Sequence, residues 1–177
     1  MAVYTKIDKS DIKLINTKFK IEKIISFHGI KQGIENTNYL LKSKNKKFIL
    51  TIFEKRVSNK EVPFFMKLMD KLNSSKINCP KPLRTKSDSY LIKLKKKTAC
   101  IVSFLEGKDK KKLNIQDCYT IGKTTAQMHL VTEKLKLYRK NSMGIKNLNP
   151  LLKSIKFKYN KFSKIDLFLK NNLKNIN

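Results

Sequence analysis

Two glycines lie four positions apart in the stretch FHGIKQGIENTNYLL, and polar side chains follow them. The glycines are Gly29 and Gly33, and the polar residues include Glu35, Asn36 and Asn38. Glycine lets backbone N–H groups approach an anion closely, and clustered N–H groups can hold phosphate. The Gly-x-x-x-Gly spacing differs from both the protein-kinase loop and the Walker A loop. The residues alone therefore leave two interpretations open, a structural turn and a loop that covers phosphate.

A second candidate segment is ACIVSFLEG, an apolar run that ends in a polar connector. In kinases with two lobes, adenine binds at such a connector through backbone groups. Ser103, Phe104, Leu105 and Glu106 would form this hinge. An ordinary strand end has the same pattern, so both interpretations stay open.

The strand-like run FILTIFEKR raises the question of a cation for the nucleotide phosphates. Strand alternation places Thr51, a neutral residue, where such kinases have a lysine or arginine. Lys55 and Arg56 follow the strand directly, and spacing does not decide between a phosphate-binding and a surface role. Asp70 or Glu61 of the next segment would be candidates to pair with such a cation.

Other catalytic or metal-binding patterns are absent from the sequence. His28 and His129 are far apart, and a histidine on the apolar side of a helix, as at His129, is usually a core residue. Cys79, Cys100 and Cys118 form no Cys-x-x-Cys pair, so we expect buried thiols and neither a zinc site nor a disulfide.

The elements that position these residues are predicted to be a β-rich part followed by helices. Five runs have strand character: IEKIISFHGI, NTNYLLKS, KKFILTIFE, SYLIKL and TACIVSFLEG. They predict an α+β fold with an antiparallel sheet, and the lysine turn at 95–97 is interpreted as a solvated hairpin tip.

Four helices are indicated around and after the strands, the last of them an amphipathic helix over 150–170. Asp8 is the expected N-cap of the first, Ser58 and Glu61 have capping-box spacing before the second, and Asn114 is the expected N-cap of the third. We predict a nucleotide-binding lobe at 1–107 and the start of a helical lobe at 108–177.

The formal net charge of +28 is extreme, with 41 Lys and Arg against 13 Asp and Glu. Such a charge favours polyanions. However, only Arg56, Arg84 and Arg139 are arginine, the residue that nucleic-acid readers prefer. We therefore expect a solvated lysine surface and no specific nucleic acid. The sequence has no signal-peptide pattern and no membrane-span pattern, so we expect a cytoplasmic protein without a membrane partner.

Taken together, several segments resemble the bacterial homoserine kinase family of the aminoglycoside-phosphotransferase and choline-kinase-like fold. They are MAVYTKI, FHGIKQGIENTNYLL, FILTIFEKRV, PFFMKLMDKLNSSKINCPKPL, ACIVSFLEG, AQMHL and RKNSMGI, in this order. The resemblance implies a protein-kinase-like bilobal fold with a complete five-stranded small lobe. It also implies ATP and Mg²⁺ as cofactors, with L-homoserine phosphorylated on its hydroxyl in threonine biosynthesis.

The resemblance also implies roles for single residues. Gly29, Gly33, Glu35, Asn36 and Asn38 would belong to the phosphate-covering loop. The hinge would be 103–106, and His129 would be a structural histidine that closes the first helix of the large lobe.

One departure from the family pattern affects the expected activity. The family's His-x-Asp element, followed by Asn, occurs nowhere in the sequence, so we expect the catalytic Asp and the metal ligands beyond residue 177. The chain is then interpreted as the first part of such a kinase, with a truncated large lobe and doubtful activity alone. The alternatives are another small-molecule hydroxyl kinase of the same fold, or a basic nucleic-acid-binding protein.

Overall fold

One antiparallel sheet of five strands forms the centre of the molecule. The computed structural model describes residues 3–54, 58–141, 144, 147 and 150. The strands are β1 (Ser26–Gly29), β2 (Thr37–Lys42), β3 (Lys47–Ile52), β4 (Leu91–Leu94) and β5 (Lys97–Ser103). Their order across the sheet is β1–β2–β3–β5–β4, and all neighbours are antiparallel. The predicted five-stranded antiparallel sheet is confirmed.

Two of the three described helices begin at the predicted caps. Of the predicted helix over 150–170, only residue 150 is among the described residues. Helix α1 (Lys9–Lys18) follows Asp8, whose carboxylate accepts hydrogen bonds from the N–H groups of Ser10 and Asp11. Helix α3 (Ile115–Glu133) follows Asn114, which exchanges capping hydrogen bonds with Asp117. Such capping satisfies N–H groups that the first helical turn leaves unpaired.

The predicted capping box of the remaining helix is wrong. Helix α2 (Val62–Ser74) has Glu61 as its N-cap, with no hydrogen bond from the cap side chain into the helix. Ser58 lies in the preceding turn, where its N–H donates to Glu61 Oε2 at 3.4 Å. Pro63 occupies the first turn of the helix, where its missing N–H costs nothing.

The sheet buries side chains on both faces. On the α1 face, Leu41, Leu50 and Ile101 pack with Ile15 and Phe19. On the opposite α2 face, the buried residues of β5 pack with α2; this cluster contains Cys100, Val102, Val62 and Met66. Because strand residues alternate between faces, each site residue on a strand can be assigned to one of them.

The lysine turn between β4 and β5 was predicted to be simply solvated, but one of its lysines forms ion pairs. Lys95 and Lys96 have positive φ angles of 48° and 63°. Lys95 Nζ lies 2.7 Å from Asp8 Oδ2 and 3.1 Å from Asp11 Oδ2, so it joins the turn to the start of α1. The hydrogen bond from Lys95 is the main cause that holds the pKa of Asp8 well below its ordinary range.

The chain divides into two compact units, Met1–Tyr138 and Arg139–Asn177. The first contains the sheet and the three helices named above. No residue of α3 is buried, and Ile115, Tyr119 and Leu130 are more than half exposed. A lobe boundary after residue 107 stays a prediction. None of the helices in the described residues is long and apolar enough to cross a membrane.

Candidate functional site

Gly29 is the last residue of β1 and Gly33 lies in the loop between β1 and β2, and each position favours glycine for a different reason. The Ile30 N–H donates to the Asn38 carbonyl at 2.8 Å and closes the base of the loop. Gly33 has a φ angle of 103°, a backbone conformation that residues with a side chain rarely adopt. At Gly29, a Cβ atom would lie 2.9 Å from Cγ2 of Val3. Close packing against Val3 therefore requires a glycine at position 29, whether or not phosphate approaches there.

The polar residues of the loop face different partners. Asn36 Oδ1 accepts the Glu54 N–H at 3.3 Å and joins the loop to the residues after β3. Asn38 Oδ1 accepts the Thr51 hydroxyl at 2.8 Å. Glu35 is exposed on the loop. The structure thus brings Asn38 and Thr51 together, two residues that the sequence associated only with separate segments.

The α2 face of β2 and β3 next to the loop is a surface of paired side chains. Asn38 is opposite Thr51, and Leu40 is opposite Ile49. All four are partly exposed, although Ile49 also packs against the cluster that α2 forms with β5 on the same face. We call these four residues the sheet surface. It offers two apolar side chains and one amide–hydroxyl pair, a combination that suits a ligand with a flat apolar part and a polar part.

On the sheet surface, Asn38 and Thr51 form a neutral pair at the position where the sequence raised the question of a phosphate-binding cation. Because Thr51 donates to Oδ1, the Asn38 side-chain NH₂ remains as a donor, and it has no acceptor among the described residues. Lys55 and Arg56, the alternative cations, lie outside the described residues. The NH₂ group of Asn38 can donate to a phosphate oxygen without carrying a charge.

The candidate hinge is held in place by β3 and by the segment before β4. Ser103 exchanges two hydrogen bonds with the backbone of Lys81, each 2.9 Å long, one of them through the Ser103 hydroxyl. The Phe104 N–H donates to the Lys47 carbonyl at 3.3 Å. Lys47 Nζ lies 2.7 Å from Glu106 Oε1 and 5.3 Å from the centre of the Phe104 ring.

Within the hinge, Leu105 is different from its neighbours. Its side chain is 41% exposed, and among the described residues its backbone makes no hydrogen bond. Leu105 therefore has a backbone donor and acceptor available for a ligand, whereas the Ser103 side chain is used in the fold.

An ion pair lies behind the loop, on the α1 face. Glu54 contacts Lys97 and accepts hydrogen bonds from the hydroxyls of Thr5 and Thr37, both at 2.7 Å. The Glu54 side chain is 9% exposed and that of Lys97 is 40% exposed. Burial raises the pKa of Glu54, but the hydrogen bonds from Lys97, Thr5 and Thr37 outweigh it, so the pKa is lowered overall.

The acids considered as partners for a phosphate-binding cation have other roles. Asp70 accepts a 2.5 Å hydrogen bond from the Tyr90 hydroxyl and pairs with Arg84 at 3.3 Å. Arg84 also pairs with Asp88 at 2.9 Å. Glu61 contacts the backbone of Ser58 in the turn before α2. Both acids thus have local partners, and a pairing of Asp70 or Glu61 with Lys55 or Arg56 stays a prediction because these cations lie outside the described residues.

Two side chains that were predicted to be buried are exposed in the structure. His129 and Cys118 are exposed on α3, while Cys100 is buried as expected. Leu40 and Ile49 of the sheet surface, and Lys47 beneath the hinge, were not among the site residues predicted from the sequence. The alternation that singled out Thr51 also places Ile49 on the same face, and this signal could have found it.

A cavity of about 580 Å³ lies beside β1, at the edge of the sheet. Lys9, Lys13 and Lys23 line it together with Phe27 and His28. None of the predicted site residues lines this cavity. The residues described also contain no group of three or more His, Cys, Asp or Glu that could hold a metal ion.

Comparison with known proteins assigns the family. The model of the phosphotransferase enzyme family matches residues 26–153. The homoserine kinase of Bartonella tribocorum is 39% identical over 145 residues, which are 82% of this chain and 46% of the relative. That of Parvibaculum lavamentivorans is 36% identical over 154 residues, 87% of this chain and 48% of the relative. The chain spans about half the length of the curated relatives it matches.

The fold has a counterpart among solved structures. Spectinomycin phosphotransferase, solved in complex with ADP and spectinomycin, superposes with a TM-score of 0.61 at 14% identity. The superposition covers 96% of this chain and 55% of that protein. At this identity the likeness shows the fold, and it supports the kinase-like small lobe predicted from the sequence. Because the family model matches residues 26–153, which are most of the chain, the chain belongs to the phosphotransferase enzyme family.

Proposed function

We propose that the protein to which this chain belongs transfers a phosphoryl group from ATP to the hydroxyl of L-homoserine, giving O-phospho-L-homoserine. The observation that carries the proposal is the identity of 35–39% to homoserine kinases over 82–89% of the chain. The nucleotide-binding lobe, residues 1–107, is assigned the task of holding ATP. A role in threonine biosynthesis and a cytoplasmic location are parts of the same proposal.

The nucleotide is proposed to lie on the sheet surface. Leu40 and Ile49 would contact the adenine, and the Leu105 backbone would give it hydrogen-bond partners. The loop with Gly29 and Gly33 would cover the phosphates, and the Asn38 NH₂ would donate to a phosphate oxygen. Asn36, Glu35 and the residues 103–106 are included as positions that shape this site.

The hinge and the loop have separate tasks in this arrangement. Lys47 holds Glu106 and Phe104 in place, so the backbone at 103–106 can recognise a flat ring in one orientation. Positioning of this kind is the main contribution that a protein makes to phosphoryl transfer. No described residue is proposed as the base that accepts the hydroxyl proton of homoserine.

Magnesium belongs to the proposal through the family resemblance alone. The described residues contain no group of three or more His, Cys, Asp or Glu that could hold a metal ion by itself. A bound Mg²⁺ would neutralise charge on the ATP phosphates. None of the described residues of this chain is assigned to that ion.

Acceptor-dependent ATP turnover tests the proposed function. The whole protein that contains this chain is assayed with L-homoserine, and with L-serine, choline and spectinomycin as comparison acceptors. We expect turnover above background with L-homoserine, with O-phospho-L-homoserine as the product. Turnover with one of the other acceptors only would show a different hydroxyl kinase of this family. Absence of turnover with every acceptor would contradict a kinase function.

Salt dependence separates nucleotide binding from nonspecific attraction to this basic chain. ATP held by the hinge and sheet surface should keep most of its affinity at high salt. A polyanion held only by the lysines should lose affinity steeply as salt rises. Equal and steep salt dependence for ATP and for single-stranded DNA would favour the basic-protein alternative.

A further inference from the structure

We propose that residues 3–7, which we call the N-terminal strap, hold the loop between β1 and β2 in the position that receives the nucleotide phosphates. The positioning role rests on the proposed function, but the contact between strap and loop can be tested without it. The strap precedes α1 and lies on the α1 face, which is opposite the sheet surface.

Two contacts join the strap directly to the loop. The Tyr4 hydroxyl donates to the Ile34 carbonyl at 3.1 Å, one residue after Gly33. The Val3 side chain lies against Gly29, where it leaves no room for a Cβ atom. The strap therefore contacts the last residue of β1, where the loop begins, and the loop itself at Ile34.

The base of the strap is fixed by hydrogen bonds to β2. The backbone N–H groups of Tyr4 and Thr5 both donate to the Thr37 hydroxyl, at 3.0 and 3.1 Å. The Tyr39 hydroxyl donates to the Thr5 carbonyl at 3.0 Å and accepts the Ile7 N–H at 3.3 Å. A strap with so many partners on one strand has little freedom to move relative to that strand.

The ion pair on the α1 face extends this fixed base to two more strands. Glu54 follows β3 and Lys97 begins β5, and both contact the Thr5 hydroxyl. Thr37 is fully buried, and Thr5 and Ile7 are each 8% exposed. By contrast, Tyr4 is 56% exposed. The strap thus combines a buried base with one exposed side chain that reaches the loop.

The functional consequence is preorganisation of the loop. Residues 31–35 are exposed and contain no strand or helix, so their conformation depends on contacts such as that of Tyr4. A loop whose N–H groups are already in place binds phosphate with a smaller loss of conformational entropy. Tyr4 is a positioning residue in this proposal, because it touches the loop and not the nucleotide.

The test uses Tyr4→Phe, which removes only the hydroxyl. Tyr119→Phe is the matched control, because Tyr119 is 63% exposed on α3, and no hydrogen bond joins α3 to the strap among the described residues. Hydrogen exchange of the Ile30 amide, whose N–H donates to the Asn38 carbonyl at the base of the loop, is measured without nucleotide in the full chain. The KM values for ATP and L-homoserine are then measured in the whole protein.

We expect Tyr4→Phe to speed exchange of the Ile30 amide about three- to tenfold, the effect of one net hydrogen bond. KM for ATP should rise by a similar factor, while KM for L-homoserine stays unchanged, and Tyr119→Phe should change neither. Should Tyr4→Phe fail to fold, Val3→Ala is the second variant, with the same expected direction.

Unchanged exchange of the Ile30 amide in both strap variants would overturn the proposal. Faster exchange with an unchanged KM for ATP would also overturn it, since the loop would then not need to be held. Faster exchange in a protein that binds no ATP would support the contact between strap and loop and contradict the proposed function instead.

Discussion

Thr51 on β3 donates its hydroxyl hydrogen to Asn38 Oδ1 on β2 at 2.8 Å, directly across the sheet. This bond orients the Asn38 amide, so its NH₂ group is the donor left for a ligand. The pair occupies the position where a phosphate-binding cation was considered. A neutral donor there gives less attraction to phosphate than a lysine, but its direction is fixed.

Replacement of Thr51 tests whether this orientation matters. Thr51→Val keeps the shape and removes the donor, so the Asn38 amide is free to rotate. We expect ATP affinity to fall about three- to tenfold and the free energy of unfolding to fall by about 1 kcal/mol. Isothermal titration with ATP and urea unfolding measure the two effects.

Thr17→Val is the control for this change. Thr17 is exposed on α1, and its hydroxyl donates to the Lys13 carbonyl within the same helix. It should leave ATP affinity unchanged. Equal losses of affinity in both variants would show that the Asn38–Thr51 pair has no particular role.

The packing of Val3 on Gly29 predicts a rescue. Gly29→Ala places a methyl group 2.9 Å from Val3 Cγ2, so we expect the variant to weaken ATP binding and lower stability by about 1–3 kcal/mol. Val3→Ala in the same chain removes the clashing methyl group. The double variant should regain most of the stability and affinity.

The same pair of variants separates two reasons for a glycine at position 29. If phosphate itself needed the space at Gly29, Val3→Ala would restore stability without restoring ATP binding. That result would show that the glycine is needed for the ligand in addition to close packing against Val3, whereas no recovery of stability would contradict the packing reason.

The ion pair behind the loop predicts a pH effect on stability. The pKa of Glu54 in the folded chain is below its ordinary value of 4.5. Its contribution to stability is therefore fully present above about pH 4.5 and is lost as pH falls through the lower, folded pKa. Glu54→Gln removes this contribution at neutral pH, so wild type and variant should become more similar in acid.

Urea unfolding at pH 7 and at pH 3 measures this difference. At pH 7 we expect Glu54→Gln to cost about 1–3 kcal/mol, below the range for a fully buried pair because Lys97 is partly exposed. Glu106→Gln, which removes an exposed pair with Lys47, should cost less than about 1 kcal/mol. A Glu54→Gln penalty that is the same at both pH values would disagree with a lowered pKa.

Thiol reactivity provides a check on burial. Cys118 is exposed, Cys79 is intermediate and Cys100 is buried, with burial raising the pKa of Cys100 to about 12. Because the thiolate is the reactive form, Cys118 should react first with a thiol reagent and Cys100 only on unfolding. Peptide mapping after timed labelling gives the order. Early modification of Cys100 in the native chain would show that β5 opens more readily than its burial implies.

The sheet and the helix caps could be predicted because their signals are local. Alternating apolar residues indicated the strands, and Asp8 and Asn114 are followed three residues later by the acids that complete each capping box. The Ser58–Glu61 spacing gave the same signal where no box forms. Sequence spacing alone does not show at which residue a helix begins.

The contacts around the candidate site were less predictable because they join distant parts of the sequence. Lys95 pairs with Asp8, which is 87 residues away, and Lys97 contacts Thr5, which is 92 residues away. No periodicity within a strand or turn indicates such partners. In the sequence, the strap residues stood out only as part of MAVYTKI, a segment that resembles the homoserine kinase family. Their hydrogen bonds to Thr37 could be recognised only in the folded structure.

The most direct test of the proposed nucleotide site is a crystal structure of this chain with a non-hydrolysable ATP analogue. We expect the adenine against Leu40 and Ile49 with hydrogen bonds to the backbone at 103–106, and a phosphate oxygen within hydrogen-bond distance of Asn38 Nδ2. An analogue bound instead in the lysine-lined cavity beside β1, with the sheet surface empty, would contradict nucleotide binding on the sheet surface.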